Sequence, residues 1–262
     1  MKIGTQNQAF FPENIREKFR YIKEMGFDGF EIDGKLLVNN IEEVKAAIKE
    51  TGLPVTTACG GYDGWIGDFI EERRLNGLKQ IERILEALAQ VGGKGIVVPA
   101  AWGMFTFRLP PMTSPRSLNG DRKMVSDSLR VLEQVAARTG TVVYLEPLNR
   151  YQDHMINTLA DARRYIVEND LKHVQIIGDF YHMNIEEDNW RRRCMTTATC
   201  SVMCILRITI ATSRAVAPSI STRCLNSCAP ITIRVMWCMK GVSGQKILPG
   251  RTVIRWPRLR TC

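Results

Sequence analysis

Glu146 closes the run TVVYLE, Asp179 closes HVQIIGD, and His182 follows Asp179 by three residues. Two carboxylates and an imidazole brought to one rim make a donor set for a hard divalent cation such as Mn2+ or Mg2+. The same spacing fits equally a helix-capping Asp, a salt-bridged Glu and a surface His, because one carboxylate per strand end is a loose pattern. Trp102 and Phe105 follow the run GIVVPA and are placed either to wall a pocket or simply to bury a loop. With only His154, His173 and His182 in the chain, a Ser-His-Asp triad has little support. His173 opens a strand, which is a structural position, and His154 is read as a loop residue. Gly60-Gly61 and Gly92-Gly93 read as turns, since no Walker-type Lys-Ser/Thr follows either pair.

The elements that must position these residues repeat. Short apolar runs at 2–6, 27–32, 53–59, 95–100, 141–146 and 173–179 alternate with longer amphipathic ones. Helices are expected near Pro12–Met25, Ile41–Thr51, Ile70–Val91, Asp121–Thr139 and Leu159–Asn169, with another beginning near Ile185. In the third of these, Leu75, Leu78, Ile81, Ile84, Leu85 and Leu88 recur at helical spacing. The strands are nearly continuous hydrophobic runs, as strands buried on both faces should be. Six βα units in 189 residues, with 73 more to follow, favour a closed (β/α)8 TIM barrel over an open doubly wound sheet. No G-x-G-x-x-G follows the first run, which weakens a dinucleotide-binding sheet.

Composition divides the 262-residue chain sharply. Residues 1–189 carry 23 Lys+Arg against 27 Asp+Glu, a net −4, whereas 190–262 carry 13 against none, a net +13. The overall charge of +9, which would ordinarily suggest nucleic acid or an anionic surface, therefore belongs to the last segment alone. Seven of the eight cysteines also fall there. The start has no cationic stretch followed by an apolar one, and no run is long and apolar enough to span a membrane. The expected setting is cytoplasmic, where clustered cysteines do not make a disulfide framework.

The segments GFDGFEI, YLEPLNRYQDHMINT and IIGDFYHMNIEE together resemble the sugar isomerase and epimerase family with a xylose-isomerase-like TIM barrel. Ketose 3-epimerases and hydroxypyruvate isomerase are among its members. The resemblance covers residues 1–189 and implies an isomerase dependent on a divalent metal, Mn2+ first, with Mg2+ or Co2+ as alternatives. It implies that Glu146 is both metal ligand and catalytic acid/base, that Asp179 is a second ligand, and that His182 hydrogen-bonds a substrate oxygen. Gln152 stands where many relatives have Glu, which marks a different sugar, and Trp102 would line the substrate. The implied substrate is a small keto-sugar or keto-glycoside. The implied chemistry is proton transfer next to a carbonyl through an enediolate, which requires two carboxylates. Family members take the second from the end of strand eight and another ligand, a His, from strand seven. A homo-oligomer is compatible with such an enzyme.

Residues 190–262 contain no His, Asp or Glu. A basic nucleic-acid-binding module, or an AP-endonuclease-like member of the same superfamily, is the alternative reading. Three histidines are too few for the several metals of that branch, and aromatic interleaving is confined to Trp190, Trp237 and Trp256. The spacings Cys200/Cys204 and Cys224/Cys228 are a weak zinc signal. Neither idea explains 74 consecutive residues without a carboxylate.

A lost nucleotide near codon 190 does. Val235 to Lys240 must be encoded GTN ATG TGG TGY ATG AAR. Read one base earlier, this gives NAT GTG GTG YAT GAA, so Val-Val, then Tyr or His, then Glu are forced. That is a strand ending in Glu. Val202 to Ile208 in the same shifted frame permits His-Val-His-Ile-Ala-Asp, and Trp190 to Met195 permits Leu-Ala-Gln-Ala-Leu-His. The expected organisation is therefore βα units one to six in 1–189, with 190–262 an out-of-frame replacement of units seven and eight. As written, that segment should pack poorly and supply no metal ligand, leaving the chain inactive. Its apolar runs CILRITI and ITIRVMW nevertheless have the pattern to pair as strands and cover the otherwise open edges of strands one and six.

Overall fold

The computed structural model describes residues 3–104, 113–188, 202–207 and 233–237. Eight strands form one closed, all-parallel barrel in chain order, as the repeated βα pattern requires. They are β1 (Ile3–Gln6), β2 (Gly29–Ile32), β3 (Val55–Cys59), β4 (Gly95–Pro99), β5 (Val142–Glu146), β6 (Val174–Asp179), β7 (Val202–Arg207) and β8 (Ile233–Trp237). The helices are α1 (Ile15–Glu24), α2 (Gly34–Asn39), α3 (Ile41–Thr51), α4 (Glu71–Gln90), α5 (Leu118–Thr139), α6 (Leu159–Glu168) and α7 (Phe180–Glu186). No helix among the described residues is long and apolar enough to cross a membrane.

Both faces of the early strands are buried. Every residue of β2 is buried, and Phe30 meets Phe19 of α1 edge-on at 5.3 Å. Each such fully buried large apolar side chain contributes about 1.5–3 kcal/mol relative to exposure, and the core they form runs through the strands and the helices packed on them. Local signals set the helix ends. Asn14, Asp33, Ser117 and Thr158 each accept a backbone N–H of the first turn, and Thr158 and Asp161 form a reciprocal capping box.

Several elements depart from the sequence pattern, each for a local reason. Asp33 nucleates the extra short helix α2, and Ser117 starts α5 at Leu118, three residues earlier than periodicity predicts. Asp179 caps α7 through Tyr181 N–H, so that helix begins at Phe180 rather than near Ile185. This puts His182 on a helix. In α4 the expected stripe is buried from Leu78 to Leu88 and departs only at its start, where Leu75 is 50% exposed and Arg74 and Gly77 turn inward. The cause is close packing of α4 on the β3–α4 loop, where a side chain on Gly77 would meet the backbone of Gly64.

β7 and β8 cover the two edges. β7 pairs with β6, including Asp179 opposite Ile205, and β8 pairs with β1, including Gly4 opposite Met236. The apolar runs in the basic segment thus do close the barrel. The rest of that segment, with the side chains of its cysteine pairs, lies outside the described residues, as does Phe105.

Gly52 and Gly64 both have positive φ, at 65° and 97°, but differ in surroundings. A Cβ at Gly52 meets nothing within 4 Å, whereas at Gly64 it would overlap the Arg73 carbonyl oxygen. Gly52→Ala should cost about 1 kcal/mol and Gly64→Ala about 2–4 kcal/mol, read as a shift in urea midpoint. Equal losses would contradict the tight packing of α4 on its loop.

Candidate active site at the carboxyl rim of the barrel

In a parallel barrel all strands end on the same rim, so the last residues of β5 and β6 are neighbours by construction. Glu146 and Asp179 are those residues. His182 joins them from the first turn of α7. Donor atoms of the three lie within 4.8 Å of one another, and all three side chains are buried. Asp179 does two jobs: Oδ1 accepts Tyr181 N–H at 2.8 Å to cap α7, while Oδ2 lies 3.9 Å from His182 Nε2. The capping role and the cluster are therefore compatible. The buried His182 does not fit the surface reading.

Asn149 orients the imidazole. Its backbone N–H donates to His182 Nδ1 at 3.1 Å, and its side-chain amide nitrogen is 2.8 Å from the same atom. A ring nitrogen that accepts has no proton, so the neutral ring carries its proton on Nε2, the atom that faces the carboxylates. That nitrogen is then a donor. It has no lone pair for a metal unless the Asn149 bond is given up.

Gln152 and Trp102 are brought to the same rim by two loops that touch. Gly103 N–H donates to the Gln152 carbonyl at 2.8 Å, linking the β4–α5 loop to the β5–α6 loop. Trp102 is 57% exposed and Gln152 half-buried. The β5–α6 loop is itself fixed from three sides. Arg150 holds Glu186 of α7 through its guanidinium at 2.9 Å, and Glu187 accepts Leu159 N–H at 2.8 Å. Asp153 accepts the N–H groups of His154, Met155 and Ile156, while burial pushes its carboxyl up to about 6. His154 is a loop residue but a buried one, 2.9 Å from Asp121, which also takes Arg116 at 2.6 Å. His173 bonds Glu133 at 2.8 Å on the outside of the barrel, a structural role.

Residues that the sequence did not single out complete the rim. Tyr62 is buried close enough to Cys59 and Glu146 for their charges to reinforce the effect of burial, which raises its phenol well above the ordinary value. It stays protonated and can donate. Trp65 meets Tyr62 edge-on at 5.6 Å. Inside the barrel, Thr57 donates to the buried Glu31 at 2.7 Å. Asn149 carried a signal, as the polar residue three beyond Glu146, but Tyr62 and Trp65 sit in a Gly-rich loop with no periodicity to mark them.

The family model described as xylose isomerase-like TIM barrel matches residues 19–211. The chain belongs to this family. Among its relatives, the 3-dehydro-D-guloside 4-epimerase of Escherichia coli K12 is 98% identical over 189 residues, 72% of each chain. A D-psicose 3-epimerase of Ruminiclostridium cellulolyticum is 36% identical over 198 residues, covering 72% of this chain and 66% of its own length. The crystal structure of a 3-keto-D-glucoside 4-epimerase from E. coli superposes with a TM-score of 0.85 over 91% of this chain and 92% of the other, at 78% identity. The structural match runs well past the sequence match, and its identity falls as it does so. The resemblance seen in GFDGFEI, YLEPLNRYQDHMINT and IIGDFYHMNIEE is borne out, and with it the barrel and the isomerase class.

The bond from Asn149 fixes a measurable state. Long-range 1H–15N correlation at neutral pH should report His182 as the Nε2–H tautomer, with a nitrogen shift at Nδ1 characteristic of an unprotonated acceptor. A protonated Nδ1 would contradict the geometry.

Proposed function

We propose that this chain is a cytoplasmic, metal-dependent epimerase of keto-sugars or keto-glycosides, interrupted in its last two βα units. One observation carries the reading: three buried polar groups, Glu146, Asp179 and His182, converge within 4.8 Å at the catalytic rim of an epimerase-family barrel. Two buried carboxylates this close repel each other, and a divalent cation offsets that repulsion. The oxygen-rich set suits Mn2+, with Mg2+ or Co2+ as alternatives. Glu146 and Asp179 would hold it, and when bound it would supply the polarisation that acidifies a C–H bond next to the substrate carbonyl.

The residues divide the remaining work. A Glu146 carboxylate oxygen takes or returns the proton on the carbon beside the carbonyl. His182, with its proton on Nε2, donates to a substrate oxygen rather than ligating the cation. Gln152 and Trp102 contact the sugar from the two linked loops. Inversion needs a second carboxylate on the opposite face of that carbon, and residues 190–262 as written have none.

The shifted reading frame supplies what is missing. Restoring one nucleotide near codon 190 makes the codon at position 205 encode His or Tyr, and position 205 pairs directly with Asp179. A histidine there stands next to the two carboxylates. The same frame forces Glu at position 240, three residues beyond the end of β8. Identity to the E. coli relative over 189 residues, together with the change of composition at that point, supports residues 190–262 being out of frame.

Expression of the chain with and without the inserted nucleotide tests this. The literal chain should bind Mn2+ at least about 100-fold more weakly than the restored one and should not epimerise 3-keto-glucosides. The restored chain should invert the carbon beside the carbonyl and incorporate solvent deuterium there, and Glu146→Gln in it should slow turnover about 1000-fold. Tight Mn2+ binding by the literal chain would refute the frame argument. A restored chain that neither binds metal nor exchanges the proton would refute the epimerase reading.

A further inference from the structure

Resting on the epimerase reading, we propose that His154 is a positioning residue of the reaction. Pinned to α5 by a chain of polar groups, it fixes the turn at residues 149–154, and with it the sugar contact at Gln152 and the orientation of His182. The turn is short and closed on itself. The Asn149 carbonyl accepts Gln152 N–H at 2.8 Å and Asp153 N–H at 3.1 Å, and Leu148 N–H donates to the Ile156 carbonyl at 3.1 Å. Asn149, whose N–H groups orient His182, stands at one end of the turn and His154 at the other. Gln152 lies between them, its carbonyl tied to Gly103 of the β4–α5 loop.

His154 is anchored outside its own loop. Its Nε2 donates to Asp121 Oδ2 at 2.9 Å, since a carboxylate oxygen only accepts, and Asp121 Oδ1 accepts Arg116 Nε–H at 2.6 Å. The other guanidinium nitrogens of Arg116 donate to the Gly67 and Asp68 carbonyls of the β3–α4 loop, at 2.6 and 3.1 Å. Phe69 of that loop closes the circuit, its ring 5.8 Å from the imidazole and 5.1 Å from the guanidinium carbon. Three rim loops therefore meet at Arg116, Asp121 and His154, and the side chains of the last two, 4% and 1% exposed, are out of water. Desolvating such a chain is costly, and apolar side chains of equal volume would hold the loops together at least as well. What the polar chain adds is direction: it fixes the imidazole in one orientation, and the closed turn carries that constraint through Gln152 to Asn149.

The test compares His154→Leu, His154→Gln and Asp121→Asn in the full chain, as written and with its frame restored. Each variant should keep the cooperative urea transition of its parent. In His154→Leu the Gly103 N–H, bonded to the Gln152 carbonyl, should exchange with solvent at least about tenfold faster. The nitrogen shifts of His182 should move away from those of the pure Nε2–H tautomer. With Mn2+ and methyl 3-keto-glucoside, kcat/KM of the restored chain should fall about 100-fold in His154→Leu, part of it as a raised KM. His154→Gln, whose amide nitrogen can stand in for Nε2 beside Asp121, should recover most of that loss. A purely structural His154 would lower the urea midpoint but leave Gly103 exchange, the His182 spectrum and KM unchanged, and that result overturns the proposal. If Leu at position 154 abolishes folding, the same readouts in Asp121→Asn decide. A restored parent that turns over no 3-keto-glucoside overturns the epimerase reading, and the role in the reaction falls with it. An active parent whose variants match it at Gly103 and His182 overturns the role of His154 alone.

Discussion

The arrangement of the rim follows from one constraint: two carboxylates end adjacent parallel strands, and both are buried. A parallel barrel gives no choice about this, because β5 and β6 run in the same direction and are hydrogen-bonded side by side. Glu146 and Asp179 must then share a small volume, 6% and 1% exposed, where like charges interact strongly. Structures tolerate such pairs where a cation or a shared proton offsets the repulsion, which is why the pair points to metal chemistry more strongly than either residue alone. The fixed tautomer of His182 belongs to the same arrangement. By accepting from Asn149 at Nδ1, the ring turns a proton and not a lone pair toward the carboxylates.

The outer structure holds this geometry still. Asp179 is at once a strand end and a helix cap, so any movement of the carboxylate would loosen the first turn of α7 and His182 with it. Glu186 and Glu187, at the far end of that short helix, grip the β5–α6 loop through Arg150 and the backbone of Leu159. The acidic stretch that precedes the change in composition is therefore a structural clamp. The exposed Arg150–Glu186 pair would count for little as an isolated surface ion pair. Here it acts together with the buried Asp153 turn and the Arg116–Asp121–His154 chain, which fix the other side of the same loop.

Much of this was legible in the sequence. Strand ends at Glu146 and Asp179 could be read from apolar runs terminated by a carboxylate, although a carboxylate within a strand is also accommodated where it is hydrogen-bonded, as Glu31 is by Thr57. Helix starts were read less well, because Ser117 and Asp179 extend their helices by side-chain capping that periodicity does not register. Leu75 shares the helical spacing of the buried stripe, but close approach of Gly77 to Gly64 brings Gly77 and Arg74 inward at the start of α4 and leaves Leu75 exposed. Tyr62 and Trp65 escaped because loops position side chains by turns and close packing, with no repeat to detect.

The last two strands separate two levels at which a sequence specifies structure. CILRITI and ITIRVMW have the β-branched, apolar composition that an open sheet edge accepts, and in the barrel they pair with β6 and β1. Strand pairing uses backbone C=O and N–H groups, of which proline alone lacks the N–H, so a sheet edge can be covered by any segment of suitable apolar composition. Catalysis has no such tolerance. It depends on particular side chains, and residues 190–262 hold no His, Asp or Glu. The barrel therefore closes across the change in composition at residue 190, while every acid and imidazole of the chain lies before it. The net +13 of residues 190–262 arises because the segment carries no acid to balance its arginines and lysines.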